Sequence, residues 1–233
     1  MNAVITGASR GMGKAIAAKF AAEGYDLILS SKDEKRLSES VTELKAANNK
    51  SGILSYSVDL SIKTEAQKFG KWILQQNSSI DILINNAGHF LPGSIYNEED
   101  EVLEKMININ LYSAYHLTRI LLPKMMEQKR GHIFNMCSIA SLNAYSNGGS
   151  YSISKFALMG FSKNLREEMK PYNIKVTAVY PGAVYTSSWE ASGVEKERIM
   201  DVNDIAETVY SISKLSPQAC VEDIVLRPQL GDL

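Results

Sequence analysis

A chain of 233 residues, 45% hydrophobic and 22% charged, is long enough to bury a full core and has the composition of an ordinary globular protein. Its formal net charge of −1 gives no electrostatic basis for binding nucleic acid or an anionic membrane. Two cysteines (Cys137, Cys220) and three histidines (His89, His116, His132) form no metal-ligand spacing, so no metal is expected.

No apolar run reaches the roughly eighteen residues of a membrane span. The first residues already read as a core strand, leaving no room for a signal peptide and making the cytoplasm the default setting.

Short apolar runs alternate with longer amphipathic segments along the chain. The strand Ala3–Thr6 leads through glycines into a helix over Gly11–Glu23, and Asp26–Ser30 leads into Glu34–Ala47. Gly52–Val58 precedes a helix over Ser61–Asn77, and Ile82–Asn85 precedes Glu99–Gln128, long enough to be bent or interrupted. His132–Met136 is followed by Ser150–Lys170, and Lys175–Tyr180 by an aperiodic stretch and then Val202–Leu215, before a last strand at Asp223–Arg227. This order predicts one α/β domain over residues 1–233: a doubly wound, Rossmann-type parallel sheet of about seven strands with helices on both faces. Right-handed crossovers then bring all strand C-termini to one edge, where ligands bind. The aperiodic stretch, 181–201, follows a strand C-terminus and reads as a substrate lid.

Chemistry concentrates in two places. In Tyr151-Ser152-Ile153-Ser154-Lys155 a phenol and an ammonium sit one helical turn apart, with Ser138 upstream. A nearby cation lowers a phenol's pKa from about 10 towards neutrality, as an acid–base catalyst requires. Ser138 is suited to hold a carbonyl or alcohol oxygen beside the phenol. The Tyr-x-x-x-Lys spacing also arises by chance, as a half-buried Tyr beside a solvated Lys.

The second place is Thr6-Gly7-Ala8-Ser9-Arg10-Gly11-Met12-Gly13, between the first strand and the first helix. Its glycines allow a tight turn and close approach of backbone to a pyrophosphate, and the helix N-terminus supplies N–H donors and positive dipole. No Gly-Lys-Ser/Thr follows, which excludes a P-loop.

The end of the second strand bears on the choice of dinucleotide. An NAD site wants a carboxylate there, but Ser31 is small and neutral and Lys32 follows. That pair favours NADPH over NAD, and the family resemblance set out next implies the same for Arg10 inside the glycine turn, the alternative being that Arg10 and Lys32 are plain surface charges. Asp33 reads as the N-cap of the next helix.

These features make the chain resemble the short-chain dehydrogenases/reductases, in the branch carrying Thr-Gly-x-x-x-Gly-x-Gly and Tyr-x-x-x-Lys. The likeness covers essentially the whole chain. It rests on Thr6 to Gly13, Asp59 in Val58-Asp59-Leu60, Asn85-Asn86-Ala87-Gly88, Asn110 in Ile109-Asn110-Leu111, Ser138, Tyr151 with Lys155, and Pro181-Gly182 followed by Thr186.

The resemblance implies that Gly7, Ser9, Arg10, Gly11, Met12 and Gly13 cradle the pyrophosphate, with Lys32 beside the adenosine end. Asp59 is then an acceptor for the adenine amino group, unless it only caps the following helix, and Leu60 supplies a backbone contact. Asn86, Ala87 and Gly88 line the ribose, while Asn85 bridges neighbouring strands. Pro181, Gly182, Val184 and Thr186 enclose the nicotinamide.

Tyr151 exchanges the proton, Ser138 holds the substrate oxygen, and Lys155 tunes the phenol and bonds the nicotinamide ribose. Asn110 links Lys155 to solvent through water, and it reads equally as a polar residue that breaks the long Glu99–Gln128 helix. Tyr145 is a candidate substrate wall, with His89, Phe90 and Leu91 opposite.

The implied activity is NADPH-dependent hydride transfer between the nicotinamide and a carbonyl or secondary alcohol of a small molecule. The pattern is nearest to 3-oxoacyl-(acyl-carrier-protein) reductases and similar carbonyl reductases, although no basic patch stands out for an acidic carrier protein. A reductase of sugars, pterins or steroids shares every signature. A non-catalytic dinucleotide sensor is the other alternative, and it would ordinarily lack the Tyr or the Lys, whereas all four catalytic positions are present here. The resemblance also implies a homo-oligomer, tetramer or dimer, through the paired long helices and last strand. Phe156, Leu158, Met159 and Phe161 exceed what one sheet-facing stripe needs.

Overall fold

The computed structural model describes residues 1–48, 50–76, 79–186, 189 and 193–232. Seven apolar runs form β1 (Asn2–Thr6), β2 (Asp26–Ser31), β3 (Ile53–Ser57), β4 (Ile82–Asn85), β5 (Gly131–Met136), β6 (Ile174–Pro181) and β7 (Asp223–Leu226). They pair in parallel in the order β3-β2-β1-β4-β5-β6-β7. Strands covered on both faces need continuous apolar sequence, and the central β4 is buried along its whole length.

The helices are α1 (Gly11–Ala22), α2 (Glu34–Ala47), α3 (Lys63–Gln75), α4 (Val102–Ile107), α5 (Ser113–Gln128), α6 (Gly149–Met169) and α7 (Val202–Ser213). They divide between two faces. Ile16, Phe20, Leu37, Val41 and Val209 pack under one, and Phe69, Ile73, Leu117, Leu121 and Leu165 under the other. Strand order reverses between β1 and β4, which opens a crevice beyond their C-terminal ends.

Most predicted boundaries differ from the structure by a residue or two. The helix expected from Ser61 begins at Lys63 because the Asp59 carboxylate holds a turn, accepting from the N–H of Ser61 at 3.0 Å and its hydroxyl at 2.6 Å. Its expected last residue, Asn77, lies outside the described residues. The segment expected over Glu99–Gln128 starts at Val102, and α4 and α5 are joined by a π-helical turn at Asn108–Tyr112.

The two ends of the aperiodic segment after β6 meet in an isolated bridge. Val184 bridges Met200, Tyr185 N–H donates to the Met200 carbonyl at 2.8 Å, and Met200 N–H to that of Ala183 at 3.1 Å. Ser187 and Ser188 of this segment lie outside the described residues. No helix is long and apolar enough to cross a membrane among the described residues.

Candidate active site

The glycine turn after β1 is locked to the end of β4. Gly7 has φ +65°, a conformation that favours glycine, and a Cβ there would lie 2.9 Å from Asn86 Nδ2. That amide donates to the carbonyls of Thr6 and Gly7 at 2.9 and 3.1 Å. Thr6 Oγ1 accepts from the N–H groups of Asn86 and Ala87, both at 2.9 Å. At Gly13 a Cβ would overlap the Gly7 carbonyl, so the helix start and the turn touch backbone to backbone.

No side chain caps α1, which leaves its first-turn N–H groups for an anionic ligand. Across this turn lies Thr186, whose Cγ2 would be 3.3 Å from a Cβ on Gly11. The cradle fits a dinucleotide pyrophosphate.

Beside it, Ser31 donates to Ser9 Oγ at 2.9 Å and ties the end of β2 to the turn. Asp33 caps α2 by accepting from Arg36 N–H at 3.0 Å. Lys32 Nζ stands 3.9 Å from Asp59 Oδ2, and the other Asp59 oxygen is spent on Ser61. Asp59 is therefore a turn-former and a facing carboxylate at once, but it is not the N-cap of α3, a position held by Ile62. Leu60, Pro181 and Val184 are buried, and Met12 packs partly buried on the core. Asn85 bridges β4 to β5, donating to Asn135 Oδ1 at 2.8 Å and to Thr118 Oγ1 of α5 at 3.0 Å.

The N-terminal half of α6 carries Tyr151 and Lys155 on one face, with Lys155 Nζ 5.8 Å from the phenol ring centroid. Lys155 is 7% exposed and donates to the Met136 carbonyl at the end of β5 at 2.8 Å. Ser138 follows β5 and caps a 3₁₀ turn at Ile139–Ser141, accepting from Ala140 N–H at 3.1 Å, and its hydroxyl lies near enough to Tyr151 to lower that phenol's pKa.

Asn110 comes from the π-helical turn. Its Oδ1 accepts from His89 N–H at 2.8 Å, and its Nδ2 donates to the His89 carbonyl at 3.0 Å and to Ser154 Oγ at 2.9 Å. A Cβ on Gly88 would lie 2.9 Å from Asn110 Oδ1 and 3.6 Å from Lys155 Nζ, so these three residues converge. Such π turns are frequent at functional sites, because the extra residue redirects one side chain.

Electrostatics depart from the sequence expectation at Tyr151. Burial raises the phenol's pKa, and the neighbouring Ser138 hydroxyl lowers it by less. The ammonium expected to acidify it is turned to the Met136 carbonyl, and its own burial lowers Lys155 to about 8. A phenol held neutral is the form that donates a proton.

The surrounding walls are aromatic. Phe90 meets the Tyr151 ring edge-on, centroids 4.8 Å apart. Tyr145 is 46% exposed, and burial raises its pKa, with Tyr151 a lesser cause. His89 is exposed, its pKa lowered by partial burial and then by the cations Lys32 and Arg10.

One contact had no counterpart in the sequence reading. The Glu98 carboxylate accepts from Ser150 N–H at 2.9 Å and from the Ser150 hydroxyl, at the start of α6. The N-cap of α6, Gly148, offers no side-chain acceptor, so the sequence does signal a missing cap. Nothing local distinguishes Glu98 from its neighbours Glu99, Asp100 and Glu101 as the one to supply it.

A profile of the family described as short chain dehydrogenase matches residues 1–197. The chain is 32% identical to a sepiapterin reductase of Chlorobaculum tepidum over 240 residues, covering 99% of this chain and 97% of that one. It is equally 32% identical to an uncharacterised oxidoreductase of Staphylococcus saprophyticus over 97% of this chain and 96% of the relative. Among solved structures, an alcohol dehydrogenase from Thermococcus sibiricus complexed with 5-hydroxy-NADP superposes with TM-score 0.89 at 28% identity, covering 98% of this chain and 96% of that one. A metagenomic short-chain oxidoreductase in complex with NADP gives 0.85 at 30% identity, covering 98% and 97%.

Proposed function

The chain belongs to the short-chain dehydrogenase family, and on that premise we propose that it reduces the carbonyl group of a small, uncharged molecule with NADPH. The observation that carries this reading is the convergence of Ser138, Tyr151 and Lys155 beside the glycine cradle. NADPH, when bound, supplies the hydride. Tyr151 donates its phenolic proton to the substrate oxygen, and Ser138 holds that oxygen and stabilises the charge growing on it.

Lys155 keeps a cation behind the phenol and bonds the nicotinamide ribose. Asn110, fixed by His89 and Ser154, borders Lys155 on the path that returns a proton from solvent. Gly7 to Gly13 hold the pyrophosphate, and Asp59 and Leu60 the adenine. Asn86, Ala87 and Gly88 line the ribose, and Pro181, Gly182, Val184 and Thr186 border the nicotinamide. Residues 181–201 are the lid of this reading.

Preference for the 2′-phosphate is supported by the neutral Ser31 at the end of β2. It is supported too by a recess of ≈ 390 Å³ next to Ser9, lined by Arg10, Lys14 and Arg36 as well as Glu39 and Glu43. Relatives solved with NADP or its 5-hydroxy derivative point the same way.

No charged side chain occurs from Ile139 to Ser154, and Phe90 and Tyr145 flank the phenol. That favours an uncharged ring-bearing ketone over one presented by an acidic carrier protein, and the sepiapterin reductase relative places pterin-like ketones on the panel to be tried. Ile153 and Phe156, 40% and 38% exposed on α6, are the face proposed for a homo-oligomer, whereas Leu158 is buried in the chain's own core.

The test is titration with NADPH and NADH, then a panel of pterin-like, aromatic, sugar and 3-oxoacyl ketones followed by cofactor oxidation. Tighter NADPH binding with turnover of an uncharged ketone is expected. Binding of NADPH with no oxidation across the panel would support the sensor alternative instead.

A further inference from the structure

The first turn of α6 sets the position of Tyr151, and its own sequence does not secure it. The opening N–H groups of a helix need acceptors, and Gly148 has no side chain to offer one. Glu98 reaches across from the segment after β4 and takes both the Ser150 N–H, at 2.9 Å, and the Ser150 hydroxyl. Gly149 makes room for it, with φ +35° and a Cβ position that would overlap Glu98 Oε1. The same segment is fastened next door, where Gly93 N–H donates to the Asn147 carbonyl at 3.1 Å and Ser94 Oγ to Asn147 Oδ1 at 2.8 Å. Upstream, Phe90 lies edge-on against Tyr151, and His89 exchanges two hydrogen bonds with Asn110. Residues 89–98 therefore touch the turn before Tyr151, the Tyr151 ring and Asn110.

We propose that Glu98 is a positioning residue, an N-cap supplied to α6 by a neighbouring loop that holds the Tyr151 phenol in line for proton transfer. The proposal rests on the reductase reading above. A carboxylate at a helix N-terminus is stabilised by the N–H groups and the dipole together. The leverage on rate is larger than on stability, because displacement of a reacting group by about 1 Å can cost on the order of 100-fold.

The experiment compares Glu98→Ala and Glu98→Gln with the parent chain in steady-state reduction, NADPH titration and amide hydrogen exchange. Glu98→Ala is expected to lower kcat by about tenfold to 100-fold, leave the NADPH Kd within about twofold, and speed exchange only over residues 149–155. Glu98→Gln keeps an acceptor for the Ser150 N–H and should hold kcat within about threefold of the parent. Parent-like kcat in Glu98→Ala overturns the proposal. So does a combined loss of kcat and NADPH affinity with faster exchange throughout the sheet, the mark of general damage. If the parent chain binds NADPH but reduces no carbonyl, the reductase reading fails, and exchange over 149–155 still decides whether Glu98 holds the turn.

Discussion

Helix α6 buries a cation in each half, and the two are treated in opposite ways. Arg166, towards its C-terminal end, donates to the Val176 carbonyl at 3.0 Å and to the Glu222 carbonyl, and stands 3.5 and 3.4 Å from the carboxylates of Glu222 and Asp223. Asp223 in turn accepts from Tyr180 at 2.7 Å. Lys155, in the N-terminal half, has the Met136 carbonyl and no carboxylate partner among the described residues. A buried charge with matched partners serves stability, tying α6 to β6 and β7. One left without a counter-charge, next to a phenol and an open crevice, carries a cost that stability alone does not explain.

The largest expected effect comes from erasing the second cation. Lys155→Met should cut kcat/KM roughly 1,000-fold and weaken NADPH binding, yet leave the melting temperature unchanged or higher, because an ammonium held in an unfavourable site is replaced by an apolar chain of similar size. Calorimetry alongside kinetics checks both halves, and a marked loss of stability would place Lys155 in the same class as Arg166.

Arg166→Met should do the reverse. Loss of a donor to two carbonyls and two partly exposed carboxylates should cost about 2–3 kcal/mol in denaturant unfolding, with kcat within about threefold of the parent.

A smaller and more diagnostic effect is the pH dependence. With Lys155 lowered to about 8, its ammonium is present below that pH and lost above it, so kcat/KM for reduction should fall on an alkaline limb near 8. Tyr151, raised by burial, stays protonated through this range. The linkage sign is opposite for stability. The unfolded chain keeps its proton up to the ordinary lysine pKa, so Lys155 penalises folding below about 8, and the penalty is relieved as pH rises beyond it. A flat rate profile between pH 6 and 10 would refute this assignment.

The smallest effect belongs between the two cations. Ser162 accepts from Asn135 Nδ2 at 2.8 Å in the middle of α6, and Ser162→Ala should cost about 1 kcal/mol with unchanged kcat.

The sequence made the fold legible because alternating strand and helix periods are local signals, and a parallel, doubly wound sheet of about seven strands follows from them. It also made Tyr151, Lys155 and Ser138 legible, since an i,i+4 pair on a long helix must share a face. Three things were out of reach. The pKa of Tyr151 depends on how much burial outweighs a neighbouring charge, and which carbonyl claims the Lys155 ammonium is a tertiary fact. Glu98 sits 52 residues before Ser150, in a run of four acids that look alike until the loop is folded back. The π-helical turn that aims Asn110 showed in the sequence as a break at that polar residue in a helix too long to be regular, without its geometry.

The central claim is that the Tyr151 phenol gives its proton to a carbonyl oxygen while the dinucleotide is held by other groups. It is tested most directly by measuring NADPH affinity and single-turnover cofactor oxidation in Tyr151→Phe. Affinity within about twofold of the parent, with the chemical step slowed by roughly 1,000-fold or more, is the predicted result. Oxidation at the parent rate in that variant would contradict it.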